Sequence, residues 1–137
     1  GVSIMIKLVL FILLNFISYN AYGDSFTLNC TMNSYGNTTN VNVAKSWVNP
    51  VSKFVINGEE ATYHYSGKSL SGSAQDKGDR LKIYFDRTVS MKSGTGTKKV
   101  KANMIIDYFY ESKKIAADWR FVGFKDLGTV WGVCEKD

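Results

Sequence analysis

The sequence predicts an all-β protein, folded as a single antiparallel β-barrel or β-sandwich of about eight strands. Three observations lead to this prediction. The stretch 99–111 has the two-residue period of a strand: one face is apolar and predicted to be buried, and the other is charged at its ends but apolar at Ile105 and Phe109, as in an interior strand. Further short stretches of this kind follow one another along the chain, with turn-forming residues between them. No stretch shows convincingly the apolar spacing of an amphipathic helix.

The first 23 residues are expected to be a secretory signal peptide that is cleaved. Lys7 precedes an apolar run at residues 8–17, and the small residues Ala21 and Gly23 stand at the expected cleavage positions. An uncleaved membrane anchor is the alternative, but a bilayer span needs about 20 apolar residues, which this run does not reach. We therefore expect one β-domain at 24–137, secreted or periplasmic, without a membrane span.

The first two predicted strands lie at 25–32 and 41–48. The first strand alternates regularly and places Cys30 on its buried face. The second has valines and a tryptophan of one parity, and Pro50 ends it because proline cannot donate a ladder hydrogen bond. A loop rich in Asn, Ser, Thr and Gly separates the two strands.

A β-hairpin is predicted next, from strands 53–57 and 60–66. Asn57-Gly58 is the strongest hairpin signal in the chain, because both residue types accept positive φ. The following stretch, 67–78, is polar and contains glycine. It is interpreted either as a long loop or as one irregular strand around 69–73.

The second half of the chain contains the strongest strand signals. Strand 80–87 places Leu81, Ile83 and Phe85 on one face, and Val89 and Met91 extend the pattern. A flexible turn then leads into the strand at 99–111. The last two predicted strands, 115–124 and 129–135, complete a set that has the spacing of a sandwich or a small barrel.

Two cysteines, Cys30 and Cys134, are the only ones in the chain, and they stand in the first and last predicted strands. In an exported protein such a pair indicates a disulfide bond, which would stabilise the fold by about 4–5 kcal/mol in the chain-entropy model. A metal site or a reactive thiol is the alternative. Neither cysteine has a second cysteine or a histidine at ligand spacing, so the disulfide is favoured.

Aromatic residues are numerous and give the first functional hypothesis. If one end of a barrel is open, four of them would line its mouth and bind a small apolar ligand: Tyr63, Tyr108, Tyr110 and Trp119. Packing of these rings in the core is the alternative. The corresponding function is a non-enzymatic exported binding domain of unknown ligand.

A basic segment at 77–101 gives the alternative functional hypothesis. It contains eight basic residues against only Asp79 and Asp86. An envelope-associated interaction protein would use Lys98, Lys99 and Lys101 to contact an anionic glycan or lipid. The alternative is a hairpin whose lysines are exposed to solvent and have no binding function. Nucleic acid is not expected as a partner, because the protein is predicted to be exported.

Enzyme chemistry is not expected. The single histidine, His64, has no accompanying Gly-x-Ser-x-Gly turn, so a nucleophilic triad is not indicated. The adjacent carboxylates Glu59 and Glu60 would point apart in a hairpin and do not form a glycosidase pair. The sequence indicates no cofactor and no metal site.

Three short motifs carry a resemblance to known proteins: Phe26-x-Leu28-x-Cys30, Phe85-Asp86-Arg87-Thr88 and Gly132-Val133-Cys134. Together they resemble small uncharacterised single-disulfide secreted β-domains of bacteria. This resemblance implies an exported β-fold and no particular activity. Among characterised architectures, lipocalin- and avidin-like barrels are the first comparison. The first strand here has no Gly-x-Trp, and the nearest tryptophan–glycine pair is Trp131-Gly132, at the other end of the chain.

Overall fold

A computed structural model of the chain describes residues 25–36, 41–123 and 128–137. The predicted signal peptide at 1–23 and the end of the predicted strand 115–124 lie outside these residues. The elements are, in chain order, β1 (Ser25–Ser34), α1 (Val41–Trp47), β2 (Val51–Asn57), β3 (Glu60–Tyr65), β4 (Lys68–Asp76), β5 (Arg80–Ser93), β6 (Gly96–Phe109), β7 (Lys114–Phe121) and β8 (Gly128–Lys136).

The strands of the described chain form a closed antiparallel barrel in sequential order, and β8 pairs with β1. The all-β prediction is confirmed, and the open choice between sandwich and barrel is decided in favour of the barrel. Each strand has a neighbour on both sides, so closure satisfies the backbone groups that an edge strand would expose.

The interior of the barrel is apolar, as the two-residue alternation predicts. In β6 the side chains of alternate residues are at most 4% exposed, from Val100 to Tyr108. The intervening residues Lys101, Asn103 and Ile105 face outward and are exposed or half-buried. Apolar residues from all eight strands form one contiguous core cluster. A barrel of eight strands is just wide enough for its side chains to fill.

The disulfide bond joins Cys30 to Cys134, as predicted. The two residues are directly opposite each other on β1 and β8, and both side chains face the interior, 2% and 3% exposed. Near this bond, Asp137 exchanges two backbone hydrogen bonds with Thr27, at 2.8 and 3.1 Å. The covalent bond therefore lies on the seam where the first and last strands close the barrel.

Gly132 allows β1 and β8 to approach closely beside this seam. A Cβ at this position would collide with the carbonyl oxygen of Thr31 and with the backbone and side chain of Met32. The register between the strands shifts between Met32 and Ser34. A larger residue at 132 would push the two strands apart, so the glycine of the Gly132-Val133-Cys134 motif has a packing reason.

The predicted strand at 41–48 is wrong, because this segment forms the helix α1. Its valines favour a strand, yet Val41 and Val43 remain 44% and 39% exposed. Ala44, Trp47 and Val48 are spaced three and four residues apart, which places them on one helix face. Ala44 and Val48 are each 1% exposed. Packing of this face against the barrel therefore decides the conformation of a helix of only seven residues.

The turns after β2 and β3 connect antiparallel neighbours and form two successive hairpins. Asn57 pairs with Glu60, so the predicted hairpin is confirmed, and Gly58 takes a φ of 62°. Residues Ser66 and Gly67 both have positive φ and connect β3 to β4. The stretch 67–78 thus contains a strand, the second of the two alternatives, and β4 is longer than the expected 69–73.

Candidate functional site

A two-stranded ribbon extends beyond the wall of the barrel at one end. Strands β5 and β6 pair over their whole length, to Ser93 and Gly96 at the turn. Pairing of β5 with β4 ends at Phe85, and pairing of β6 with β7 ends at Ala102. The six residue pairs beyond these points, 88–93 with 96–101, are called the basic ribbon here. At the usual rise per residue it is about 20 Å long.

The charge of the basic ribbon has one sign. Between Arg87 and Ile106 the sequence contains five basic residues and no carboxylate. All four lysines among them are exposed: Lys92, Lys98, Lys99 and Lys101. A narrow structure with exposed charges of one sign creates a local positive potential that attracts anions.

The two faces of the basic ribbon differ. On the face that continues the outside of the barrel, each lysine is directly opposite a hydroxyl-bearing residue: Lys101 opposite Thr88, Lys99 opposite Ser90, and Lys92 opposite Thr97. Lys98 has the other parity and shares the opposite face with Val100 and Arg87. The structure therefore brings the predicted residues Lys99 and Lys101 together and places Lys98 on the other face. Lys92 was not among the predicted contact residues, although counting alternate residues across the turn places it on the same face as Lys99 and Lys101.

The two ends of the barrel differ in how their charges are mixed. The basic ribbon and α1 lie at the same end, and Lys68 and Arg120 are exposed near that end too. The opposite end exposes charges of both signs, with Lys77, Lys113, Lys114 and Lys136 among the carboxylates of Glu59, Glu60, Asp76, Asp79, Glu111 and Asp137. The positive charge of the ribbon has no such neutralising carboxylates, and this would favour an approach to an anionic surface with the ribbon first.

Two of the four predicted ligand-binding aromatics, Tyr63 and Trp119, lie beneath α1. Trp119 is 2% exposed, and its ring contacts that of Trp47 edge to face at 4.6 Å. Its indole Nε1–H donates to the carbonyl oxygen of Trp47 at 3.2 Å. Trp119 therefore fixes the end of the helix.

Tyr63 is fully buried and holds the segment that follows α1. Its ring stacks between those of Phe54 and Tyr65, at 4.8 and 4.6 Å. Its hydroxyl accepts from the backbone N–H of Asn49 at 3.2 Å and lies 3.2 Å from the hydroxyl of Ser52. Burial is the main cause that raises the pKa of the Tyr63 phenol above its usual value.

The other two aromatics, Tyr108 and Tyr110, lie at the opposite end. Their rings meet edge to face at 5.9 Å. Burial first, and then hydrogen bonding to Asp76, raises the pKa of Tyr110 to about 12. Trp119 pairs with Met104 on β6, and four residues of strand, about 13 Å, separate Met104 from Tyr108. The structure thus places the predicted aromatic residues in two separate pairs.

Arg87 connects the basic ribbon to the aromatic cluster under α1, and the sequence reasoning did not select it. Its Cζ lies 4.1 Å from the ring centre of Trp47 and 6.0 Å from that of Trp119. Its Nη1 donates to the hydroxyl of Tyr65 at 2.9 Å. The two-residue alternation of the sequence could have identified it, since Arg87 continues the inward-facing series of Leu81, Ile83 and Phe85.

Other candidate chemistry is sparse in the described residues. His64 is exposed on the outside of β3, opposite Lys53 and Ser69. Within 25–36, 41–123 and 128–137, no three His, Cys, Asp or Glu side chains group as metal ligands would. The helical part of these residues is too short and too polar to cross a membrane. Comparison of the chain with protein-family models, curated proteins and solved structures finds no match.

Proposed function

We propose that this protein is an exported, non-enzymatic binding domain that contacts an anionic glycan through the basic ribbon. The observation that carries the proposal is the row of Lys92, Lys99 and Lys101, each paired with a serine or threonine. Ammonium groups attract the acidic groups of such a polymer, and neighbouring hydroxyls can donate to and accept from sugar hydroxyls.

Export is supported by two features of the chain. The N-terminal sequence has the composition of a signal peptide. The disulfide between Cys30 and Cys134 is compatible with an oxidising compartment, such as a periplasm or the cell exterior. A secreted or periplasmic protein meets acidic polysaccharides at the cell surface.

A glycan fits the basic ribbon better than a lipid surface does. Peripheral lipid-binding segments combine basic residues with Trp, Phe or Leu side chains that insert below the headgroups. The outer part of the ribbon, 92–99, consists only of Lys, Ser, Thr and Gly. Val100, the nearest aliphatic residue on β6, is 4% exposed and packs into the core. The outer part of the ribbon, from Lys92 to Lys99, therefore offers charge and hydroxyls but no apolar side chain for insertion.

A small apolar ligand inside the barrel is the less well supported function. Tyr63, Tyr108 and Trp119 are at most 3% exposed, and their rings are in contact with neighbouring side chains of the core. Such a ligand would have to displace these side chains, at the cost of their packing.

Titration calorimetry tests this proposal. It measures the binding of the full-length protein, purified after export, to polygalacturonate and to a sulfated glycan. Neutral dextran is the ligand control. We expect binding to the acidic glycans that weakens steeply as salt rises. Replacing Lys92, Lys99 and Lys101 by Gln should remove most of it.

The matched control replaces three exposed lysines elsewhere on the barrel, Lys53, Lys77 and Lys114, by Gln. It has the same net charge as the ribbon variant and should bind nearly as the wild type. Equal losses in both variants would mean that net charge, not the ribbon, decides binding. Binding to phosphatidylglycerol vesicles without binding to either glycan would refute the glycan as the partner.

A further inference from the structure

Arg87 occupies an unusual position for a charged residue. It lies at the root of the basic ribbon, with the parity of the buried residues Ile83 and Phe85, and is itself half-buried. One face of its guanidinium lies against the indole of Trp47. Half-burial of a charge has a free-energy cost that is normally offset by an ionic partner.

The described residues place no carboxylate within 4.0 Å of Arg87. Arg80 provides the contrast, because its Nε lies 3.8 Å from carboxylate oxygens of both Asp79 and Asp107. Among the described residues, the guanidinium of Arg87 forms one hydrogen bond, which it donates to the hydroxyl of Tyr65. A guanidinium carries five N–H donors, so most of its hydrogen-bonding capacity is not used by these residues.

The position of the Arg87 guanidinium is well defined. Trp47 beneath it is held by edge-to-face contacts with Trp119 at 4.6 Å and Phe121 at 5.0 Å. Tyr65, its hydrogen-bond partner, stacks on the fully buried Tyr63. Because both supports pack against the core, little side-chain entropy remains to be lost when the guanidinium binds a ligand.

We propose that Arg87 binds one acidic group, a carboxylate or a sulfate, of a glycan chain that reaches from the lysine row of the basic ribbon to its opposite face, on which Arg87 lies. The planar guanidinium can donate to two oxygens of such a group at once, which an ammonium cannot do. Lys98 lies on the same face of the ribbon as Arg87, about 13 Å further along the strand. This inference rests on the proposed function and adds a specific subsite to it.

The test uses titration of the exported full-length protein with two oligosaccharides, tetragalacturonate and a sulfated tetrasaccharide. Arg87→Lys keeps the charge and removes the bidentate donor. We expect it to weaken binding about tenfold for at least one of the two probes. The salt dependence should stay unchanged, because the number of cations is the same. The probe that loses affinity identifies the acidic group.

Tyr65→Phe is the matched control, because it removes the hydroxyl that engages Arg87 and leaves the arginine in place. If Arg87 binds the ligand, this variant should weaken binding less than Arg87→Lys does, because the guanidinium keeps its five donors and its contact with Trp47. Equal weakening in Tyr65→Phe and Arg87→Lys would instead assign the arginine a structural role in holding α1, and would overturn the proposal.

A second measurement avoids mutation of the site. With ¹⁵N-labelled arginine, the Nε–H resonance of Arg87 in the wild-type protein should shift when tetragalacturonate or the sulfated tetrasaccharide is added. If neither probe moves this resonance, the subsite is refuted. The function of the ribbon is tested separately, by replacing Lys92, Lys99 and Lys101 with Gln. That variant should lose binding even if Arg87 does not contact the glycan.

Discussion

The indole N–H of Trp119 on β7 donates a hydrogen bond to the carbonyl oxygen of Trp47, 72 residues earlier in the chain. This contact joins the last residue of α1 to the interior of the barrel, and the two rings also meet edge to face. A helix of seven residues is not stable by itself in water. Its position therefore depends on Trp47, Trp119 and the residues around them.

Trp119→Phe should destabilise the protein by about 1–3 kcal/mol, because it removes this hydrogen bond and leaves space in the core. The free energy of unfolding in urea measures the effect. The matched control is Trp131→Phe on the outside of β8, where the side chain is 41% exposed. The control should change stability by less than about 0.5 kcal/mol. Equal effects would contradict the role assigned to Trp119.

Replacing both Cys30 and Cys134 by Ala should lower the free energy of unfolding by about 2–5 kcal/mol. The reason is that the disulfide closes a loop with a sequence separation of 104 residues in the unfolded chain. In the native wild type, a mild reductant should reduce this bond slowly, because both side chains are nearly inaccessible to solvent. Thiol labelling with and without urea measures this protection, and rapid native labelling would contradict the position on the interior seam.

Gly132→Ala should destabilise the barrel by about 1–3 kcal/mol, because the added methyl group collides with Thr31 and Met32 across the seam. Gly94→Ala is the matched control, since a Cβ there has no heavy atom within 4 Å. Thermal unfolding of the two variants compares the costs. A stable Gly132→Ala protein would show that β1 and β8 are further apart than described.

Stability should fall as the pH rises from about 10 to 12. Tyr110 has a pKa near 12 in the folded protein against 10.0 for the free side chain, so the unfolded chain loses this proton first. The contribution of Tyr110 is therefore complete below pH 10 and is lost as the pH approaches 12. Tyr110→Phe should show a shallower fall in urea unfolding over this range. An identical slope in both proteins would argue against the raised pKa.

Much of the barrel was predictable because burial alternates along its strands. The stretch 99–111 shows this most clearly, since inward residues such as Met104 and Ile106 are fully buried. Barrel closure was only suggested by the two cysteines, because the pairing of β1 with β8 joins residues more than a hundred positions apart.

Neither the helix α1 nor the surroundings of Arg87 could be predicted from the sequence, because both depend on contacts between distant parts of the chain. Val41 and Val43 favour a strand locally, whereas α1 forms because Ala44 and Val48 pack against the barrel. Arg87 is one of several basic residues in its segment, and only the fold brings Trp47 and Tyr65 to it. The lysines of the ribbon were visible as a charge run, and strand alternation divides them between two faces, but which residue each lysine faces depends on the register of β5 and β6.

Because the barrel has an even number of sequential strands, β1 begins and β8 ends at the same end, away from the ribbon. Asp137 hydrogen-bonds to Thr27 at that end. An immobilisation tag placed after Asp137 would therefore present the ribbon to the solution at the far side of the molecule. The same geometry would let a carrier attached at this end display the ribbon without blocking it.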